Sequence, residues 1–138
     1  MVKNLFHDDF FEIDHDDENR CLHVNWKGYQ TDNSVKDGVN CLIDLMTKHQ
    51  VFSVLNDNTN TLGIWIGVAG WLVFDALPRA RKAGMTSFAH VYGPSRFSRV
   101  SADAALLLLN RSAPDIRTFE DTQAAKTWLR SRSFNGTQ

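Results

Sequence analysis

The chain has 138 residues, of which 43% are hydrophobic and 22% are charged, and its formal net charge is −1. This length and composition predict one globular domain with its own core, and the charge balance with a pI of about 6.5 argues against nucleic-acid binding. No apolar run approaches the roughly 18 residues that cross a membrane, and the acidic N-terminal stretch does not resemble a signal peptide. Cys21 and Cys41 form no CxxC pair, so we expect a cytoplasmic protein with reduced thiols.

The N-terminal third of the sequence predicts a β-hairpin followed by a helix. We expect residues 1–9 to be a flexible segment that precedes the domain. Residues 10–14 and 21–26 alternate apolar and polar side chains around the polar stretch 16–19, which is typical of a hairpin that covers one apolar face. Apolar residues at helical spacing follow Ser34 and predict an amphipathic helix of about four turns; they are Val35, Val39, Leu42, Ile43 and Met46.

The middle of the chain predicts a buried strand and a second helix. The short apolar run 51–55 follows a helix directly, which favours a strand in the interior of the sheet. Its continuation, residues 56–61, reads NDNTNT. We expect the next helix over residues 62–77, with a kink or restart at Pro78 and an end at Gly84.

The last part of the chain alternates again between strand and helix. Residues 87–92 and 116–119 are typical of strands, and residues 94–109 are typical of a helix, with Ser101 as an alternative second start. Asp121 is the expected cap of a final helix. The order β-β-α-β-α-β-α-β-α predicts an α/β domain, with a mixed, mostly parallel sheet of about five strands, an antiparallel N-terminal hairpin and about four helices.

Several groups of residues occur in an order that resembles a known family. They are 54–59 with Trp65 and Trp71, the stretch 74–84, 89–92 with Pro94 and Phe97, and 119–121 with Ala124, Ala125, Trp128 and Leu129. Together they resemble the SpoIIAA-like group of STAS-type domains, which also carries a remote SEC14-like label. The resemblance covers residues 10–132, implies a SpoIIAA-like fold and leaves residues 133–138 as a tail.

The resemblance implies a regulatory binding module rather than an enzyme. Some STAS domains accept a phosphate on a serine within an Asp-Ser-Ser-Gly-like turn at the start of a helix. Residues 58–63 of this chain lack that turn and offer only threonine hydroxyls. A phospho-switch therefore does not follow from the resemblance.

Polar side chains at the end of the buried strand form a candidate ligand site. In open α/β sheets, ligands bind beyond the carboxyl ends of parallel strands, where helix N-termini offer free N–H groups. Arg96 follows the next strand, so it either helps to bind an anion or forms a plain ion pair with Asp57. Alternatively, the strand-end side chains only cap the turn. The candidates at this rim are Asn56, Asp57, Asn58, Thr59, Tyr92 and Arg96.

The helix expected over residues 62–77 carries apolar side chains on opposite sides. Such a helix either is buried on both faces or meets a partner. We favour a homodimer, with a ligand pocket and full burial by the same chain as the alternatives. The interface candidates are Ile66, Val73 and Leu77, and the pocket candidates are Trp65 and Trp71.

The five histidines point to no metal or catalytic site. His7 and His15 lie among acidic residues, but their spacing fits no metal-ligand pattern. His23 is expected on a polar strand face, and His90 is expected to be a core residue whose hydrogen bonds are satisfied. We therefore expect no metal and no cofactor.

The functional expectation rests on two observations: the sequence shows no adjacent nucleophile, base and orienting group, and the helix expected over residues 62–77 has an excess of apolar surface. The preferred function is a non-catalytic STAS-like module that binds a protein partner or a small ligand. The runner-up is a carrier for a small lipid-like molecule, as the SEC14-like label implies. The third is an enzyme that uses Asp57 with Tyr92 or Arg96.

Overall fold

The computed structural model describes residues 1–109 and 113–136, and the side chains of the last helix as far as residue 132. The strands are β1 (Val2–His7), β2 (Phe11–Asp16), β3 (Cys21–Trp26), β4 (Gly28–Tyr29), β5 (Ser53–Asp57), β6 (Thr61–Leu62), β7 (Ser87–Val91) and β8 (Ile116–Phe119). The α-helical stretches are α1 (Asp32–His49), α2 (Ala69–Trp71), α3 (Leu77–Ala83), α4 (Arg96–Leu108) and α5 (Thr122–Gly136).

The main sheet is mixed, as the sequence predicts. It has six strands in the order β1-β2-β3-β5-β7-β8, and a separate two-stranded sheet joins β4 to β6. Strands β1, β2 and β3 are antiparallel neighbours, whereas β3, β5, β7 and β8 run parallel. The predicted hairpin is therefore confirmed. The buried strand β5 lies between β3 and β7, in the interior position that its apolar run indicates.

The expectation of a flexible segment over residues 1–9 is wrong, because β1 pairs with β2 and adds a sixth strand. The Phe6 ring stacks on Phe11 at 4.9 Å between ring centroids, and the Asn4 amide donates a hydrogen bond to Asp14 at 2.9 Å. Most other side chains of β1 are exposed. Leu5 and Phe6 are adjacent in the sequence and only partly buried, so β1 lacks the alternation that marks a strand.

The helical residues 66–83, which we call the composite helix, change geometry along their length. A 3₁₀ turn (Ile66–Val68) leads into α2, then into a π-helical turn (Leu72–Ala76), then into α3. The Leu77 N–H donates to the Leu72 carbonyl, five residues back. The composite helix starts later than predicted, because Leu62 belongs to β6 and residues 63–65 form an irregular connection. Pro78 stands at the start of α3 without breaking the helix.

The other helix ends agree with the sequence to within a few residues. Helix α1 starts earlier than predicted, because Thr31 caps it by accepting a hydrogen bond from the Ser34 N–H at 3.0 Å. Gly84 ends α3 with a φ of +118°. Helix α4 continues through Ser101, and Asp121 caps α5 by accepting from the Ala124 N–H at 2.8 Å.

The predicted C-terminal tail, 133–138, overlaps the last helix. Helix α5 continues to Gly136, so residues 133–136 belong to it rather than to a tail. Residues 137–138 lie outside the described part of the chain. The boundary of the domain at this end is therefore later than the sequence indicates.

The main sheet has two unlike faces. Helix α1, the composite helix and α4 pack on one, which we call the cavity face, and α5 packs on the other, which we call the α5 face. Side chains alternate between them, so Val54 and Asn56 of β5 point to the cavity face and Leu55 and Asp57 to the α5 face. The fully buried core of the α5 face is Cys21, Leu55, Ala89, Val91, Ala125 and Leu129.

Candidate functional site

An apolar cavity of about 150 Å³ lies between the cavity face and the helices that cover it. Its wall comes from α1, the composite helix, α4 and the strands below them. Aliphatic side chains supply most of this wall, among them Val35, Leu42, Leu72, Leu77 and Leu106. None of the described residues that line the cavity is an Asp, Glu, Lys or Arg.

The cavity exists because the helices approach the sheet unevenly. Helix α1 packs tightly, since a Cβ atom added at Gly38 meets the Trp26 ring at 2.3 Å. The composite helix and α4 face the same space with small side chains, including Ala76, Ala80 and Ala105. Alanines at these positions hold the helices in place but leave volume that larger side chains normally fill.

The inner end of the cavity carries a row of polar side chains on three neighbouring strands. Trp26 of β3 donates its indole N–H to Asn56 Oδ1 of β5 at 2.8 Å. Asn56 Nδ2 lies 3.1 Å from His90 Nδ1 of β7, and the two residues are partners in the parallel register. His90 Nε2 is buried and has no hydrogen-bond partner among the described residues.

Burial also fixes the charge of His90. The ring is enclosed, which disfavours the charged form and lowers the pKa of His90 to about 4, although Asp103 and Asp57 act in the opposite direction. The imidazole is therefore neutral at pH 7. The sequence led us to expect a satisfied core histidine, and the free Nε2 overturns that expectation.

Asp57 points to the α5 face and is fully engaged there. Its Oδ2 atom lies 2.8 Å from His23 Nε2, and its Oδ1 atom accepts from the Thr59 N–H at 2.9 Å and the Thr59 hydroxyl at 2.6 Å. Burial raises the pKa of Asp57, but the hydrogen bonds from His23 and Thr59 outweigh it and lower the pKa overall. His23 is thus part of a closed polar cluster rather than a free surface residue.

The predicted ion pair between Asp57 and Arg96 is wrong, since Asp57 pairs with His23. Arg96 is exposed, and its guanidinium makes no hydrogen bond or ion pair with another described residue. Tyr92 donates its hydroxyl to Asp103, and the Arg99 guanidinium lies 4.0 Å from the Tyr92 ring centroid. The ion-pair alternative is therefore excluded, and a part for Arg96 in an anion site stays a prediction.

Asn58 mainly ties two loops together. Its backbone N–H donates to the Val91 carbonyl at 3.0 Å, and its carbonyl accepts from the Thr61 N–H at 3.1 Å. A Cβ added at Gly93 lies 2.0 Å from the Asn58 carbonyl oxygen, so only glycine allows the loops to approach this closely. This supports the alternative reading of the NDNTNT stretch as turn chemistry for part of its length.

The remaining candidates separate into inner and outer residues. Trp65 is buried, lines the cavity and donates its indole N–H to Ser98 Oγ at 3.1 Å. Trp71 is half-buried outside the cavity lining, with Lys36 and Arg79 each 5.7 Å from its ring. The structure thus brings Asn56, Asn58 and Trp65 to the cavity and leaves Asp57, Thr59, Trp71, Tyr92 and Arg96 elsewhere.

The interface candidates also separate. Val73 and Leu77 are half-buried and line the cavity, whereas Ile66 is 45% exposed.

Trp26 and His90 complete the polar end of the cavity, and sequence reasoning assigned neither of them to a site. The available signal was that Asn56 and His90 each interrupt an apolar strand on the same side of the sheet. Their pairing depends on strand register, which the sequence alone does not reveal.

Comparisons of the chain with protein-family models, with curated proteins and with solved structures return no match. Within residues 1–109 and 113–136, no helix combines the length and the apolar character needed to span a bilayer. The same part of the chain contains no group of three or more side chains placed to hold a metal ion. The site is therefore interpreted from its own geometry.

Proposed function

We propose that this protein is a non-catalytic binding module, STAS-like in its architecture, that holds a small and mostly apolar molecule in the cavity. The observation that carries this proposal is an aliphatic cavity of about 150 Å³ with no charged residue in its described lining. A cavity of this size and lining accommodates a molecule as large as benzene. Burying an ion there is unfavourable, so the ligand is uncharged.

The energetic cost of an empty cavity supports a ligand. The space leaves the aliphatic side chains around it without packing partners on one side, which lowers stability. A molecule that fills the space recovers dispersion contacts with the surrounding side chains. The cavity therefore favours the ligand-carrier function over an anion site at the strand ends.

The test is a titration of toluene into ¹⁵N-labelled protein, followed by NMR. We expect saturable shifts confined to residues that line the cavity. Ala105→Leu places a larger side chain in the cavity and abolishes these shifts. Ala104→Leu adds the same atoms to the neighbouring position, which is outside the lining, and leaves binding intact. Shifts that never saturate, or equal binding by both variants, contradict the proposal.

A second candidate function is self-association, favoured by the outer side of α4. Phe97, Val100 and Leu107 are 64%, 51% and 81% exposed and recur at helical spacing. Exposed apolar surface of this kind marks interaction sites, and a homodimer covers it with a second copy of the chain. Light scattering at tens of micromolar tests it: we expect a dimer for the wild type and a monomer for Leu107→Ser. A monomeric wild type contradicts it.

An enzyme that works through Asp57 has less support than either. Both carboxylate oxygens accept hydrogen bonds within the protein, and the pKa of Asp57 is lowered rather than raised. A general acid at neutral pH needs the opposite shift. Membership of the STAS-type group and a cytoplasmic location stay predictions, based on motif order and cysteine usage.

A further inference from the structure

The orientation of the Asn56 amide is fixed by Trp26. An indole N–H can only donate a hydrogen bond, and the Trp26 nitrogen lies 2.8 Å from Asn56 Oδ1. The oxygen of the amide must therefore face Trp26. Its NH₂ group consequently faces His90.

The Asn56 amide in turn fixes the tautomer of His90. Asn56 Nδ2 donates across 3.1 Å, so His90 Nδ1 must accept with its lone pair. A neutral imidazole then carries its hydrogen on Nε2. Burial holds the pKa of His90 near 4, so this neutral form is the one present at pH 7. The Tyr92 ring contacts the imidazole in a T-shaped arrangement, with 5.1 Å between centroids, and limits its rotation.

The Nε2–H group is a buried donor without an acceptor among the described residues. Buried polar groups are almost always paired, so such a group calls for an explanation. The other side-chain donors of the cavity lining are satisfied within the protein. The Gln30 amide donates to the Phe10 and Lys27 carbonyls at 2.9 and 3.1 Å, and Trp65 donates to Ser98.

We infer that the ligand carries a single hydrogen-bond acceptor, a carbonyl or hydroxyl oxygen, which binds His90 Nε2–H while a hydrocarbon body fills the rest of the cavity. This inference rests on the proposed function and narrows its ligand class. None of the described lining residues is charged, which disfavours a carboxylate or phosphate on the ligand. The volume limits the body to about one aromatic ring with a short substituent.

The test compares acetophenone with α-methylstyrene, which has the same shape but a CH₂ group in place of the carbonyl oxygen. One neutral hydrogen bond makes acetophenone roughly fivefold to tenfold the tighter ligand of the wild type. His90→Phe keeps a ring at this position and removes the donor, so the two compounds then bind equally. Equal binding by the wild type overturns the inference and leaves the proposed function standing. Binding of neither compound overturns both.

A second measurement uses the wild-type protein alone, so it does not depend on whether a variant folds. Long-range ¹H–¹⁵N NMR reports which ring nitrogen of each histidine carries hydrogen. We expect the Nε2–H tautomer for His90 at pH 7, and a downfield shift of that proton when acetophenone binds. His23, on the α5 face, is the internal control and does not shift. A hydrogen on Nδ1 of His90, or no response to acetophenone, overturns the inference.

Discussion

The two faces of the sheet use neighbouring residues of one strand in opposite ways. On the α5 face, Asp57 bonds to His23, and both of its oxygens accept hydrogen bonds. On the cavity face, Asn56 bonds to His90, and the far side of that imidazole has no partner among the described residues. A carboxylate only accepts, so a series of hydrogen bonds ends at Asp57. An amide both accepts and donates, so Asn56 accepts from Trp26 and donates to His90.

The two faces also differ in packing, because the α5 face is filled with side chains and the cavity face contains open space. Side chains of the α5 face core, such as Leu55 and Leu129, have no exposed surface. On the cavity face, Leu77 and Leu106 border a space of about 150 Å³ that the described side chains leave open. The α5 face is therefore closed, whereas the cavity face combines fully buried side chains, such as Leu22 and Val54, with an open space that the proposed function assigns to a ligand.

The largest expected effect is the loss of a core side chain from the α5 face. Leu129→Ala leaves a void among fully buried neighbours and lowers the free energy of unfolding by about 2–5 kcal/mol. Leu106→Ala, beside space that is already open, costs about 1 kcal/mol or less, because fewer contacts are lost. Urea denaturation measures both. Equal losses contradict the difference in packing between the faces.

A pH titration of stability gives the next largest effect. Unfolded His90 binds a proton below pH 6.5, but the folded protein does so only near pH 4, so stability falls as the pH falls through this window. Between pH 7 and pH 5, the pKa difference of this side chain lowers the free energy of unfolding by about 2 kcal/mol. His90→Phe removes that slope, which urea denaturation at the two pH values detects.

The Asp57 cluster serves as the internal comparison for that titration. The pKa of Asp57 is lowered from 3.8, so its stabilising contribution is complete above pH 3.8 and is lost only at lower pH. Asp57→Asn therefore leaves the slope between pH 7 and pH 5 unchanged. If Asp57→Asn changes that slope, or if the slope persists in His90→Phe, the acid sensitivity does not come from His90 on the cavity face.

The smallest effect comes from filling the cavity. Ala105→Leu buries additional methylene groups in open space and raises the free energy of unfolding by about 1 kcal/mol. The matched variant Ala104→Leu adds the same atoms at a half-buried position outside the cavity lining, so it lacks this gain in stability. Thermal unfolding without ligand distinguishes the two. A destabilising Ala105→Leu means that the space is smaller than the structure indicates.

The sequence predicts the parts of this fold that depend on local pattern. Alternation over residues 21–26, the apolar run 51–55 and the cap at Asp121 each report on a few adjacent residues, and all three predictions are confirmed. Strand β1 was missed because its partner, not its composition, makes it a strand. The composite helix was placed too early because the pairing of β6 with β4 takes Thr61 and Leu62.

The site was less predictable than the fold for a related reason. Asn56 and His90 are 34 positions apart, and only the parallel register between β5 and β7 brings them together. The interruption of apolar strands by these polar residues was visible in the sequence, but the partner of each was not. The apolar excess of residues 62–77, which predicted an interface, partly faces the cavity through Val73 and Leu77.

The π-helical turn Leu72–Ala76 makes the volume of the cavity depend on the number of residues in the composite helix. A π turn arises where an α-helix holds one residue more than its regular winding needs. Val73 and Ala76 of this turn border the cavity. Deletion of one residue here restores regular winding and redraws the roof of the cavity, while the strands that hold His90 and Asn56 keep their register. Under the proposed function, separate segments of the chain therefore set the size and the polarity of the ligand.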